Sequence, residues 1–394
     1  MDRRTFLASS SLALATTQLT LAADKNKTRR VAIIGHTGRG NYGHGIDTVW
    51  LHLPDVEIVS VADADAKGLE QAKSRLKTAN GFADYREMLK TVTPDIVAIC
   101  PRQPDQHRDM IIAAIQAGVK GIYIEKPFCR TPAEADEIIA ACEKKNVKLA
   151  VAHRNRYHPT LQAIDKIIAD GELGNVLEIR GRGKGDRRGG AEDLWVLGSH
   201  VLNMIHYFGG KPMTCSAVLR QDGRRVTKAD VKPGNEALGL LAGNEVHARY
   251  EMQREMVAYF DSIANDGTQN AGFGLQIIGS QGIIDIKTDA NPLAYLVPGN
   301  PFRPTTTPRP WIPITSAGAG KPEPLNDLAQ TIGHHVGLAR DLIDAMQNNR
   351  QPLCSVYEGA VTVEMICAVF ASHQQNSAAV TLPLKHRGNA LELL

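Results

Sequence analysis

Two short stretches hold residues able to do chemistry on a small molecule. The first is VAIIGHTGRG, residues 31–40, an apolar run that enters Gly35, Gly38 and Gly40 with Thr37 and Arg39 between them. Glycines after a strand let the backbone turn tightly and bring its N–H groups up to a phosphate, as a dinucleotide-binding turn requires. Asp63 closes the next apolar run, at the spacing where a carboxylate accepts hydrogen bonds from ribose hydroxyls. A carboxylate there repels a 2′-phosphate, so NAD is favoured over NADP. Thr37 stands where a glycine is usual; it either pushes the pyrophosphate outward or donates a hydroxyl hydrogen bond to it. The second stretch is YIEKP, residues 123–127. An ammonium such as that of Lys126, placed beside a cationic nicotinamide ring, has a lowered pKa and exchanges a proton near neutral pH. It also hydrogen-bonds a developing alkoxide. His200, in GSHVLNMIHYFGG (198–210), is a candidate acid/base because imidazole titrates where such a task needs it. His206, in the same apolar run, reads as core.

The elements that position these residues follow from hydrophobic period. Continuous apolar strands at 31–35, 56–65, 94–101, 121–127 and 147–153 alternate with helical patterns, including 45–53 and 131–146. Thr131 and Pro132 supply an N-cap and a first-turn proline. This alternation indicates an α/β fold with a doubly wound parallel sheet, a Rossmann domain over residues 29–153. From residue 154 the pattern changes. After one helix over HPTLQAIDKIIADGELG come strand candidates VLEIRGRG, CSAVLRQ, ALGLLA, EVHARYEM, GLQIIGSQGIIDIKT and LAYLVPG, with a turn from Gly279 to Gly282. A Pro-rich irregular segment (300–314) and two helices (326–348 and 357–375) follow. Residues 154–385 are thus expected to form an α+β domain with a large, mostly antiparallel open sheet.

Bulk properties narrow the function classes. The 394 residues are too many for one core, and 43% apolar with 22% charged residues is ordinary for a globular protein. A net charge of +3 gives no reason to invoke nucleic acid or an anionic membrane, and Arg187-Arg188 and Arg224-Arg225 read as solvated surface. The six cysteines have no metal spacing and read as buried thiols, so no metal is expected. Residues 1–23 hold Arg3-Arg4, then Thr5-Phe6-Leu7, a mildly apolar body and Ala22-Ala23. They read as a signal peptide of twin-arginine type, too short and too rich in Ser and Thr for a stable membrane anchor. The expectation is a periplasmic or otherwise exported protein. Such export carries folded proteins into a compartment without free NAD, so the cofactor would be loaded beforehand, held tightly and recycled in place.

Together with the glycine turn, the motifs YIEKPFCRTPAEAD (123–136), AICPRQPDQH (98–107), HRNRYHP (153–159) and GSHVLNMIHYFGG resemble the Gfo/Idh/MocA oxidoreductase family over residues 29–385. Thr37 is the departure from the G-x-G-G-R-G loop of its exported members. The resemblance implies hydride transfer between NAD(P) and a carbon of a sugar or polyol. It implies Lys126 near both nicotinamide and the reacting hydroxyl, cofactor contacts from Pro101, His107 and Glu125, and homo-oligomers assembled through the C-terminal sheet. The family's D-x-G-x-H element keeps Gly198 and His200, but Val196 and Asn203 stand where carboxylates are usual. Asp193 just upstream, Arg156 at the domain mouth, Lys184 in RGRGKGDRRGGAED (180–193) and Asn203, which keeps hydrogen-bonding capacity without the charge, are candidate substrate contacts. Beside the dehydrogenase stand two alternatives. One is a glycosidase or lyase that cleaves through a transient keto-sugar and recycles its NAD. The other is a sugar-binding protein that has lost catalysis.

Overall fold

Six apolar strands pair in parallel: β1 (Arg29–Ile34), β2 (Val56–Ala62), β3 (Gly81–Phe82), β4 (Ile96–Ile99), β5 (Gly121–Ile124) and β6 (Lys148–Val151). The computed structural model describes residues 28–394, so the signal-like segment 1–23 lies outside the described residues. The sheet order is β3-β2-β1-β4-β5-β6. Ile33, Val97, Ile99, Ile122 and Ile124 are fully buried because both faces are covered, which is why these strands read as continuous apolar runs. The order reverses between β1 and β4, and the carboxyl ends of these two strands therefore diverge around a crevice, where α/β sheets hold ligands.

The element after β1 differs from expectation. Residues 45–53 do not form an α-helix; turns lead to a four-residue 3-10 helix, Val49–His52. Gly45 opens the stretch at φ 89°, outside helical geometry, and Pro54 closes it after nine residues, which leaves no room for a full α-helix. Ile46, Val49 and Trp50 still cover the sheet face over Val31 and Ile33, as a helix would. No α-helix starts after the glycine turn. The Pro132–Lys145 helix does start as read, with Thr131 Oγ1 accepting from the Glu134 N–H at 3.2 Å.

The second sheet runs, strand by neighbouring strand, through Gly318–Ala319, Ile312–Thr315, Ala294–Pro298, Gly282–Lys287, Gly274–Gly279, Val176–Arg182, Val257–Ile263, Glu245–Met252, Pro212–Gln221 and Val380–Thr381. It is antiparallel except where Val176–Arg182 meets Val257–Ile263. The latter strand alternates buried and half-buried residues; its pattern was available in VAYFDSI. ALGLLA lies outside this sheet: Gly239 and Gly243 interrupt it, and only Leu240–Leu241 pairs, with Lys232–Pro233.

The C-terminal helices tie the units together. The run 326–348 breaks at His335 (φ 60°) into Leu328–Gly333 and Val336–Gln347. Val336–Gln347 returns to the first sheet, where Leu338, Ala339, Leu342 and Ile343 pack against Ile96, Ala98 and Tyr123. Val356–Gln374, capped reciprocally by Ser355 and Glu358, is buried along most of its length between the Pro132–Lys145 helix and the Pro212–Gln221 strand. All six cysteines are buried and free. Among the described residues no helix is long and apolar enough to cross a membrane.

Leu342 is fully buried at the contact between this returning helix and the parallel sheet. Leu342→Ala is expected to cost about 2–5 kcal/mol, read as a lower denaturant midpoint with an unchanged slope.

Candidate active site

The glycine turn is built around Asp63. Its carboxylate accepts from four donors: the Thr37 N–H at 3.1 Å, the Thr37 hydroxyl at 2.7 Å, the Tyr42 hydroxyl at 2.8 Å and the Asp65 N–H at 3.0 Å. Thr37 therefore meets neither sequence expectation; its hydroxyl is committed to Asp63. The Tyr42 ring lies against Gly35, where a Cβ would come within 2.1 Å of a ring carbon, and the Arg75 guanidinium lies 4.5 Å from the centre of the same ring. Arg39 reaches across to Gln103 and Asp105, and the Gly38 N–H is taken by Asn41 Oδ1. The Gly40 carbonyl accepts from the Arg102 N–H at 3.2 Å. Beside this knot a cavity of about 260 Å3 follows the ends of β1 and β2, lined by Gly35, His36, Asp63, Asp84 and Arg86.

At the other end of the crevice lies a smaller cavity of about 100 Å3, lined by His44, Glu125, Lys126, Ala152, Arg154, Leu197, His200, Asp289 and His335. β5 delivers Glu125 and Lys126, and the Lys126–Pro127 peptide is cis. The Lys126 ammonium is buried and donates to the Val196 carbonyl at 3.0 Å. Val196 thus serves through its backbone, which any residue supplies. Burial pushes the Lys126 pKa below its ordinary value, against the opposing charge of Glu125. Burial pushes the Glu125 carboxyl up, but the hydrogen bond from His44 (3.0 Å) and the charges of His44 and Lys126 hold it below its ordinary range. Gly43 (φ 65°) allows this contact; a Cβ there would lie 2.7 Å from Glu125 Oε2.

Histidines complete the cavity. His200 and His153 meet edge to face with ring centres 5.3 Å apart, and the Nδ1 atom of each is buried without a protein partner. Burial, then the charge of Lys126, drives His200 well below the ordinary imidazole range, so it is neutral at pH 7. His335 Nδ1 accepts from the Tyr123 hydroxyl at 2.6 Å, leaving its buried Nε2 without a partner. Asp289 enters from the second domain. Its Oδ1 accepts from Arg154 Nε at 2.8 Å and from Asn155 Nδ2 at 3.0 Å. Its charge opposes the other influences on His200. With Val196 and Asn203 in place of carboxylates, the acids lining this cavity are Glu125 and Asp289, the latter far along the chain. Buried polar atoms without partners, a buried ammonium and a carboxylate around one small void are what a site for a polar ligand requires.

The sequence model of the Gfo/Idh/MocA oxidoreductase family, NAD-binding Rossmann fold, matches residues 29–153. That of the family's C-terminal alpha/beta domain matches residues 165–382. The chain belongs to the Gfo/Idh/MocA oxidoreductase family. The D-apiose dehydrogenase of Paraburkholderia graminis is 35% identical over 125 residues, 32% of this chain and 33% of that protein. The levoglucosan dehydrogenase of Pseudarthrobacter phenanthrenivorans is 28% identical over 202 residues, 47% of this chain and 50% of that protein. The chain thus spans half or less of these two relatives in the matched region. A solved levoglucosan dehydrogenase, in complex with NADH and L-sorbose, shares the fold with a TM-score of 0.72 at 19% identity, covering 91% of this chain and 100% of that chain. As a Gfo/Idh/MocA Rossmann domain, the N-terminal unit binds NAD. The two cavities fit that group: one lies along the β1 and β2 ends and the other, with its unpartnered polar atoms, beside Lys126.

Several candidate residues of this family member lie elsewhere than the sequence suggested. Asp63 lines the cofactor crevice, but its oxygens are filled by the turn; it offers charge rather than free acceptor capacity to a ribose. His107 is fully buried and brackets the loops from inside, with Nε2 2.7 Å from the Pro101 carbonyl and Nδ1 2.9 Å from that of Pro127. It positions Pro101 and the Lys126–Pro127 turn and does not face the crevice. Arg156 lines neither of these two cavities: it is buried, bonded to the Leu353 and Asn203 carbonyls at 3.0 Å each. Asn203 points away from His200, to Thr362 Oγ1 at 3.0 Å. Asp193 accepts from Ser262 Oγ at 2.6 Å and from the Lys184 N–H at 3.1 Å, and burial pushes its carboxyl up to about 6. Asp193 and Lys184 therefore brace their own loop outside the cavity. Sequence reasoning missed His44, His153, Arg154, Asp289 and His335. His153 and Arg154 stood at the end of a predicted strand, where α/β sites gather; Asp289 and His335 had no local signal.

Burial pushes His153 down to about 3 and His335 down to about 4. Both are neutral in the folded chain, whereas an unfolded imidazole takes a proton near pH 6.5. Their contribution is complete above about pH 6.5 and is lost as pH falls toward the folded values, at up to about 1.4 kcal/mol per unit for each. Thermal melts are expected to shift down progressively from pH 7.5 to 5.5; a flat profile would contradict the assignment.

Proposed function

We propose that this chain is an exported NAD-dependent dehydrogenase acting on a hydroxyl-bearing carbon of a sugar or polyol. The observation that carries the reading is the buried Lys126 ammonium facing a void shared with neutral His200 and the Asp289 carboxylate. NAD, when bound, supplies the hydride acceptor and returns the hydride in the reverse direction. The turn from Gly35 through Thr37, Gly38, Arg39 and Gly40, with Pro101, Glu125 and Lys126, holds it. Lys126 moves the hydroxyl proton at Nζ: its lowered pKa makes the neutral amine accessible, and the resulting ammonium stabilises the alkoxide. His200, neutral and with its buried Nδ1 unpartnered, hydrogen-bonds a substrate hydroxyl. The Arg3-Arg4 segment supports export, and export supports a cofactor that is retained and recycled. The solvent-facing side of the long antiparallel sheet is the surface through which copies would assemble. The same residues and export also support a second reading, glycoside cleavage through transient oxidation, in which NADH shows no net change.

The mature protein, purified from an exporting host and denatured, is expected to release NAD(H) in about equal amount to the chain. No NAD, and no binding of added NAD or NADP, would overturn both readings. Lys126→Met is expected to retain the cofactor while losing about 10²–10⁴-fold in kcat, measured once a turned-over sugar is in hand.

A further inference from the structure

Behind the catalytic void, Tyr123 is fully buried, with Trp50 packed edge-on at 6.0 Å between ring centres. Its hydroxyl has one hydrogen-bond partner among the described residues, His335 Nδ1 at 2.6 Å. Burial raises the tyrosine well above its ordinary pKa and lowers His335 to about 4, so both are neutral at pH 7. A neutral imidazole carries one N–H and one acceptor nitrogen. Were Nδ1 the donor, the hydroxyl proton would be buried with no acceptor, which is costly. The hydroxyl therefore donates, Nδ1 accepts, and the imidazole proton sits on Nε2.

That Nε2 is also buried and has no protein partner, and its ring lines the void. The ring is held in place from both sides. Turning it over would break the bond to Tyr123. Its backbone stands at the break between Leu328–Gly333 and Val336–Gln347, and Leu338, Ala339 and Leu342 anchor the second helix on the parallel sheet. β5 thus equips the void twice, with Lys126 directly and with His335 through Tyr123. At about 100 Å3 the void holds a functional group rather than a sugar ring. A buried N–H on its lining calls for an oxygen on whatever fills it.

We propose that His335 contacts the bound ligand, donating from Nε2 to a ligand oxygen, and that Tyr123 is the positioning residue that fixes its tautomer. The oxygen belongs either to the nicotinamide carboxamide or to the reacting carbon of the sugar; the sugar source rests on the carbohydrate oxidoreductase reading of this site. By packing, His335 belongs to the cofactor-domain wall, with Glu125 and Ala152, whereas Leu197, His200 and Asp289 come from the second domain. This placement favours the carboxamide.

The test uses the full mature chain labelled with 15N-histidine. Two-bond proton–nitrogen correlation spectra at pH 7 show which ring nitrogen carries the proton, and His335 is assigned by the signals that His335→Gln removes. The unaltered chain is expected to carry the His335 proton on Nε2, and Tyr123→Phe to give a mixture of tautomers. A proton on Nδ1 in the unaltered chain overturns the proposal. Saturating NAD is expected to move the Nε2 proton downfield, the signature of a new hydrogen bond. A downfield move that comes only when an aldose or polyol joins the NAD complex assigns the oxygen to the sugar instead. NAD binding without a move on NAD or any sugar overturns the contact and leaves the oxidoreductase reading standing. No NAD binding at all, read by calorimetry, overturns that reading and the contact together. For whichever ligand moves the proton, His335→Leu is expected to weaken binding about tenfold. His335→Gln, whose amide offers an N–H at similar reach, is expected to stay within about threefold of the unaltered chain. Equal losses in the two variants would mark a packing role and overturn the donor. Should His335→Leu not fold, judged by its melt, the tautomer and the proton shift in the unaltered chain decide.

Discussion

A lysine ammonium taken out of water at the seam of two domains sets the terms for the rest of this molecule. Removing an ammonium from solvent is costly unless its hydrogen bonds and charge are answered. Here the Val196 carbonyl answers one hydrogen bond, Glu125 lies next in sequence on the same strand end, and Asp289 stands across the void. These partners come from three different elements, so Lys126 is properly solvated only when the parallel sheet, the Ala191–Val196 helix and the antiparallel sheet are assembled together. The residual penalty is what lowers its pKa below that of an ordinary lysine.

The assembly that permits this is held at two knots. One is Asp63, which gathers the backbone and hydroxyl of Thr37, the hydroxyl of Tyr42 and the Asp65 N–H, and so replaces a missing helix as the support for the glycine turn. In consequence its oxygens are no longer free. The other is the chain's return path. Val336–Gln347 packs on the first sheet and presents His335 to the catalytic void, while Val356–Gln374 lies between the two units. A strict boundary between cofactor and substrate domains would leave the seam free to hinge; here residues late in the chain belong by packing to the first sheet.

His44, His200 and His335 line the void, and His153 packs edge to face on His200 behind it. His153, His200 and His335 are all kept neutral by burial, so they act as hydrogen-bonding groups rather than as charges at pH 7. Asp289, about a third exposed and paired with Arg154, is the carboxylate that the second domain brings to this void. Its pairing with Arg154 and Asn155 keeps it ionised and aimed.

How much was legible in the chain follows from the range of the forces involved. Local period and punctuation determined most strands of both sheets, the Thr131 helix start, the glycine turn and the Lys126 strand end, because backbone propensity and capping act over a few residues. Sequence alone also marked His200, whose neighbours in the chain carry a family pattern. It could not tell that residues 45–53 would form turns and a short 3-10 helix, or that the glycine turn would rest on Asp63. Nor could it tell that His107, Arg156, Asp193 and Asn203 would commit their polar groups to backbone and neighbours instead of ligand. The fold alone decided those outcomes, and it alone brought Asp289 and His335 beside Lys126. A side chain's partner is set by which distant segments share its cavity, and the packing of two sheets and a returning helix fixes that.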